Sequence, residues 1–498
     1  MKWLGILLVV AGTSVVGLAQ TNAPAVRKMS LEDCVQSSLE KNLDLRIARY
    51  NPPMALADLK AAYAGYDPNF SIGGQHFYSM EGGGFDSTQN IFKVPNTTDN
   101  NRFSSSVQNG LAPWGLQYNL LGNVNQSHTV GLTDPQSGGQ ALLQLSQPLL
   151  KNFWIDQTRL TIKVNKILVK RSELGLKQTI MATVTQVEQA YYDLIYAREN
   201  VTVQEKAVEL AMQLVAENKT RVTIGALAPL DEKQAEAQAA SSQAALIAAK
   251  SSLAIQANTL KQLITDNYAA WETIDLQPAA SLKAPVQVFD RQLSWSRGLT
   301  DRPDLLQAKL DIESQGVTIK YRYNQLFPEL DLVGSYGHNA GGGGISQFND
   351  AFYQLGDGGR PTYSYGAQLT FPIGNISARA TYKKSKLAME QYVVMLKKLE
   401  QAIMTTIDND INQARSSYQQ VAATSAAREY ATDALDAEQK KLQSGKSTTY
   451  TVLQMQRDLT TASGNEIQAL ATYNKALAQL SLDEGSTLQR LHINLEVK

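Results

Sequence analysis

The chain repeats itself, and that constrains its fold more than any other feature. At an offset of 260 residues Asn42-Leu-Asp-Leu-Arg46 lines up with Arg302-Pro-Asp-Leu-Leu306. Asp44 then meets Asp304, Leu45 meets Leu305, Ala48 meets Ala308 and Pro68 meets Pro328 without a gap. After those prolines both copies switch to alternation, with Phe70, Ile72 and Tyr78 in the first and Leu330, Leu332 and Tyr336 in the second. This is the period of a strand that shows a different environment to each face. Further on, Gln144-Leu-Ser-Gln-Pro148 matches Gln368-Leu-Thr-Phe-Pro372, and Arg159, Thr161, Lys163 and Lys166 match Arg379, Thr381, Lys383 and Lys386. Each copy therefore reads helix, strand, long loop, strand, very long helix, turn, helix. A fixed internal period of this kind decides the architecture before any local detail does.

The long helices carry the second signal. Ile180, Val187, Leu194, Val201, Val208, Val215 and Val222 recur every seven residues, with Val184 and Tyr191 between them; Ile407, Ala414, Val421, Leu435 and Leu442 echo the pattern, broken at Arg428. A strict seven-residue period tracks 3.5 residues per turn and predicts coiled-coil packing. From Ile155 to Val222 such a helix would be ~100 Å long at 1.5 Å per residue. Both long helices run into a glycine, Gly225 and Gly445, after which a new helical pattern begins. Glycine reaches the left-handed conformation that stops a helix, so both places read as hairpin tips.

Lys2, the apolar run Leu4 to Val16 and the small-residue site Gly17-Leu18-Ala19 form a secretory signal, with the mature chain expected to start near Gln20. No later stretch reaches the ~20 apolar residues of a membrane-spanning helix, so any membrane insertion must use strands. The balance of 46 Lys plus Arg against 46 Asp plus Glu gives no basic surface for nucleic acid. The single Cys34 excludes an intrachain disulfide and reads as a buried apolar residue, and four scattered histidines offer no metal cluster. No cofactor is expected. Gly445-Lys-Ser-Thr448 mimics the end of a phosphate-binding loop but lacks its first glycine, Lys440 standing there, and it follows a helix instead of a strand.

Four principal strands, about 69 to 79, 139 to 148, 329 to 338 and 363 to 373, cannot close a membrane barrel, since single-chain barrels begin at about eight. Open edges in lipid leave backbone groups unpaired, so several chains must share one barrel. Two would give a filled eight-stranded cylinder; three give twelve strands and a lumen. On the strand from Ser364 to Phe371, Tyr365, Ala367, Leu369 and Phe371 share one face and Ser364, Gly366, Gln368 and Thr370 the other. Strand-like pieces around Phe103 to Val107 and Leu116 to Val124 are expected to decorate a loop.

With these features in place the chain resembles the TolC-like outer-membrane efflux proteins. The resemblance rests on Leu31-Glu-Asp-Cys-Val-Gln-Ser-Ser-Leu39 and Asn42-Leu-Asp-Leu45, the proline-to-strand switches, Gln147-Pro148-Leu-Leu150 and both glycine tips. It implies an α+β membrane protein: a trimeric 12-stranded β-barrel, four strands per chain, continued by an antiparallel coiled-coil tunnel in the periplasm. It also implies a passive conduit, no enzyme, in contact with outer-membrane lipid and fed by an inner-membrane pump through a periplasmic adaptor. The expected segments are a signal at 1–19, a first repeat at 20–264, a connector at 265–297, a second repeat at 298–482 and a tail at 483–498.

The resemblance assigns adaptor contact to the tips, around Arg221, Gly225, Leu442, Gly445 and Lys446. It assigns the entrance constriction to Asp231, Thr451 and Gln454. Asp231 and Lys446 are either partners across neighbouring helices or two solvated charges. Thr451 and Gln454 are neutral where some members of the family carry aspartates, which argues against an acidic ring. The basic series at Arg159, Lys163, Lys166, Arg379, Lys383 and Lys386 suggests a place where barrel becomes tunnel. Trp114, Trp154, Tyr363 and Tyr365 suit an interfacial girdle. Pro52-Pro53 predicts a bend in the first helix. A soluble periplasmic coiled-coil adaptor or scaffold would share the hairpins, and the duplicated strand pairs distinguish the two readings.

Overall fold

A computed structural model describes residues 26–130, 134–341 and 345–493. The signal segment, most of the 341–344 glycine run and the end of the tail lie outside the described residues. In chain order the elements begin with β1 (Val26–Met29), α1 (Leu31–Lys41), α2 (Leu43–Ala48) and α3 (Asn51–Ala62). The strands β2 (Asn69–Glu81), β3 (Gly84–Asp86), β4 (Ile91–Lys93), β5 (Asn96–Leu111), β6 (Gln117–Val130) and β7 (Gln136–Pro148) follow. Next come α4 (Gln157–Thr223), α5 (Pro229–Ile264), β8 (Asp275–Pro278), α6 (Arg291–Asp301), α7 (Pro303–Asn324), β9 (Glu329–Ala340), α8 (Phe348–Gly356), β10 (Arg360–Thr370), α9 (Ile376–Gln443), α10 (Thr449–Asp483) and α11 (Thr487–Arg490).

The chain divides into two compact units, through both of which α4 and α9 run. The first holds residues to 43, 183–288 and 412–479. Here Val184, Val187, Tyr191 and Leu194 are fully buried, as the heptads require. Toward the tip the buried stripe slips back one residue, and Ala211, Leu214 and Asn218 are covered while Val208, Val215 and Val222 are half-buried. Leu214 packs with Leu435, Leu442, Val452 and Leu453 of the second hairpin, so the neighbour decides which residues are covered. The heptad break at Arg428 is used by an ion pair with Glu466. β8, within the segment expected as a connector, pairs in parallel with β1, a pair that alternation did not reveal because both strands are too short to show a period. Arg198 holds Asp275 at 2.6 Å, and the Tyr191 hydroxyl donates to the Met29 carbonyl at 3.2 Å. Cys34 is fully buried, which pushes its thiol up to about 12 and makes it the packing residue it reads as.

The second unit holds 44–182, 289–411 and 480–498. Pro52 and Pro53 occupy the first turn of α3, where a missing N–H costs nothing, and the chain breaks between α2 and α3 as expected. Leu305, Ile403, Ile407, Ile411 and Leu480 form a core cluster. The Ile407 side chain comes so close that a Cβ on Gly298 would sit 2.5 Å from it. Beside this cluster Arg302 grips Asp304 through two hydrogen bonds, 3.0 and 2.8 Å, and Asp483 through a third at 2.9 Å.

The sheet corrects the expected strand count. The four expected strands are present as β2, β7, β9 and β10, but they belong to a six-stranded antiparallel sheet ordered β10-β9-β7-β6-β5-β2. The pieces read as loop decoration are full strands, β5 and β6, set between β2 and β7. Composition hid the full length of β5: Asn96-Thr-Thr-Asp-Asn-Asn-Arg102 is polar on both faces and carries no alternation to detect. The loop of the second copy is also not structureless, since it contains α8.

Candidate functional site

Two places have the character of a site: the paired hairpin ends of the first unit and the faces of the six-stranded sheet in the second.

At the first hairpin end α4 stops at Gly225, whose φ of 76° lies in the left-handed region. The Gly225 N–H donates to the Val222 carbonyl at 2.9 Å and the Ala226 N–H to that of Arg221 at 2.8 Å. At the second, Gly445 has a φ of 72°, with its N–H donating to Leu442 at 3.1 Å and that of Lys446 to Lys441 at 2.9 Å. Both are Schellman stops, and they satisfy carbonyls that the helix end would otherwise leave bare. Nothing lies within 4 Å of where a Cβ would sit at either glycine, so backbone conformation, and not crowding, demands the residue. Arg221 bridges the two ends, its guanidinium donating to the Leu442 carbonyl at 3.4 Å.

The remaining expected residues lie in the same region. Asp231 stands in the first turn of α5. It makes no ion pair with Lys446 within the chain; the local pairs are Lys233 with Glu236 and Lys441 with Glu438. Thr451 is engaged by Thr448, whose hydroxyl caps α10, and the Gln454 amide donates to Asp458 at 2.9 Å. The sequence reading missed two residues seven positions before each glycine, Asn218 and Glu438. The fully buried Asn218 amide donates across its own hairpin to the Asp231 carbonyl at 3.2 Å. Glu438 accepts hydrogen bonds from Ser447 and Lys441, and these hold its carboxylate below its ordinary value. Superposing the two tip glycines aligns Asn218 with Glu438 and would have exposed this shared polar tie.

In the sheet the register sorts side chains into rows. One row crosses all six strands as Phe70, Val107, Leu120, Leu143, Tyr336 and Tyr363. On the opposite face another reads Gly73, Ser104, Asn123, Gln140, Asn339 and Arg360. Around the first row the apolar face is bare, with Phe70 at 66%, Tyr363 at 72% and Tyr365 at 86% exposure, whereas farther along the strands α8 covers Phe103, Val124 and Ala340 of the same face. A monomer in water rarely shows so wide an apolar surface. Ser71 with Ser106 and Ser335 with Ser364 make hydroxyl contacts of 2.7 Å on the polar face. Trp114 and Trp154 are exposed as an interfacial girdle needs. Of the basic series, Arg159 binds Asp156 at 2.7 Å and the carbonyls of Asn152 and Trp154, and Lys386 lies over the Tyr382 ring. Among the described residues no helix is long and apolar enough to cross a membrane, and no acid, histidine or cysteine cluster could hold a metal ion.

The sequence profile of the outer membrane efflux protein family matches residues 34–265 and 296–483. The outer membrane efflux protein BepC of Brucella suis biovar 1 (strain 1330) is 26% identical over 68% of this chain and 70% of its own length. The pyoverdine export outer membrane protein OpmQ of Pseudomonas aeruginosa PAO1 is 23% identical over 60% of each. A crystal structure of CusC, described as forming a transmembrane channel, superposes with a TM-score of 0.69 at 16% identity over 92% of each chain, which is a likeness of fold.

Proposed function

The chain belongs to the outer membrane efflux protein family, and on that premise we propose that it acts as a homotrimer whose three sheets close one barrel. As an outer-membrane channel component it is not a soluble adaptor, and its family and fold are those of passive conduits. In the proposed assembly a periplasmic adaptor meets the hairpin ends and passes cargo from an inner-membrane pump. The observation that carries this reading is the six-stranded sheet, with an apolar face exposed along the Phe70–Tyr363 row, a polar face and two open edges. In lipid the apolar face is solvated, but unpaired edge groups have no partner, so closure by further copies is required.

The adaptor contact is assigned to Arg221, Gly225, Leu442, Gly445 and Lys446, where two equivalent stops present two similar ends. Asp231, Thr451 and Gln454 narrow the entrance, which then carries a carboxylate from the first hairpin only; the second contributes a hydroxyl and an amide. The test is extraction from outer membranes followed by sizing and planar-bilayer recording, with cross-linkers placed at Ile224 and Ser444. The expected result is a trimer that conducts ions and captures a periplasmic protein from both positions. A water-soluble monomer without conductance would overturn the reading.

A further inference from the structure

Resting on the trimeric reading above, we infer that the β5–β6 hairpin is part of the pore wall, so that three copies of six strands close a barrel of eighteen in place of the twelve implied by the resemblance. The extra width would set the largest cargo that the outer exit passes.

Four observations carry this. The hairpin is bonded along both flanks: β5 pairs with β2 from Asn69 opposite Gln108 to Glu81 opposite Asn96, and β6 pairs with β7 from Gln117 opposite Ser146 to Ser127 opposite Gln136. A flap lying over a finished wall would use one flank or none. Its side chains also obey the flanking rows. Val107 and Leu120 continue the apolar row, and Ser104 and Asn123 continue the polar one. A one-residue slip would reverse both.

The hairpin is also fastened at mid-length and at its turn. Midway along it Phe103 stacks on Phe352 of α8 with ring centroids 5.5 Å apart, and Val124 packs in the same cluster with Ala340 and Ala351. At the turn the Gln147 amide donates to the Trp114 carbonyl at 3.0 Å, which ties the β5–β6 turn to β7. Lastly, the edges left over are β2 and β10. The first begins just after Pro68 and the second ends just before Pro372, so β2 of one copy and β10 of the next meet antiparallel like every other pair in the sheet. Inserting two strands, an even number, preserves that direction and lengthens the circumference. Barrel diameter grows roughly linearly with strand number, so the lumen would be about 1.5 times wider than a twelve-stranded one.

The decisive measurement is electron cryo-microscopy of the full-length protein in lipid nanodiscs, counting strands in section at the level of Phe70. Eighteen strands are expected. A ring of twelve, with β5–β6 folded against it, overturns the inference while leaving the channel intact; absence of any ring is failure of the trimeric reading instead. In a second measurement on a Cys34→Ala background, Ser71→Cys is combined in turn with Thr362→Cys, Ser364→Cys or Gly366→Cys. Oxidation should give covalent trimers for at least one pair. Intrachain linkage of Ser71→Cys to Leu142→Cys would instead show β2 lying against β7 and sink the proposal. Excising residues 96–130, which enter and leave at the same end of the sheet, should leave a twelve-stranded trimer with a polymer-size cutoff about 1.5-fold smaller in radius. An unchanged cutoff counts against the inference.

Discussion

The two hairpin ends and the two strand pairs descend from the same duplication, yet they have diverged to opposite degrees. At the ends the copies agree turn for turn: the same glycine, the same pair of backbone hydrogen bonds and a polar side chain seven residues earlier that ties the hairpin together. In the sheet one copy has gained two whole strands and the other a short helix. The difference follows from what each place must satisfy. A helix end has a fixed number of orphan carbonyls and a heptad register on either side, so one inserted residue misaligns the next helix. A sheet edge accepts any strand that brings its own donors and acceptors, and an antiparallel pair inserted between neighbours changes nothing but the circumference.

The comparison breaks most visibly on the apolar face. Leu120→Arg, on an inserted strand, should cost about 2–4 kcal/mol per chain and abolish extractable trimer, as should Leu143→Arg on an original strand. Ser104→Arg, facing the other way, should leave trimer yield unchanged in the same gel assay. Equal tolerance of Leu120→Arg and Ser104→Arg would show that the inserted strands do not share the wall.

Next in size are the stops. Gly225→Ala and Gly445→Ala should each cost about 1–2 kcal/mol from the left-handed backbone alone. Amide exchange should accelerate equally across 221–231 and 441–451; unequal responses would deny the equivalence of the ends.

A pH-dependent effect tests the core of the second unit. Burial, with the Asp483 carboxylate beside it, pushes Asp410 up to about 7. A carboxyl whose value rises on folding favours the protonated folded state. The stability it contributes is complete below the ordinary carboxylate value and is lost as pH climbs through about 7. The melting temperature of this unit should therefore fall between roughly pH 4 and 7, and Asp410→Asn should flatten that slope. A variant that keeps the wild-type slope would acquit Asp410. Least of all, Glu438→Gln should loosen exchange at the second hairpin end only, because Asn218 ties the first.

Much of this was legible in the chain itself. Alternation from Phe70 and from Leu330 marks two strands, the heptads mark both long helices, and Gly225 and Gly445 mark the stops to the residue. Of the inserted strands only the pieces at Phe103 to Val107 and Leu116 to Val124 were legible; their full length was not, because Thr97 to Arg102 is polar on both faces, and their place between β2 and β7 depends on pairing that neither strand's own pattern records. Leu214 was hidden for another reason: at the tip the second hairpin's leucines decide burial, and a one-helix period cannot know which neighbour it will meet. Asn218 and Glu438 looked like ordinary surface residues until their hairpins folded back on them.

Sequence by itself determined the duplication, the type of each long element and the places where helices must stop, because these depend on spacing and backbone preference along one stretch of chain. Only the tertiary structure decided how many strands lie side by side, which face of each is apolar across the whole row, and which polar groups tie the hairpin ends. Those outcomes depend on pairing between segments far apart in the chain, where the bonding partner is supplied by another strand or helix and leaves no periodic trace in its own.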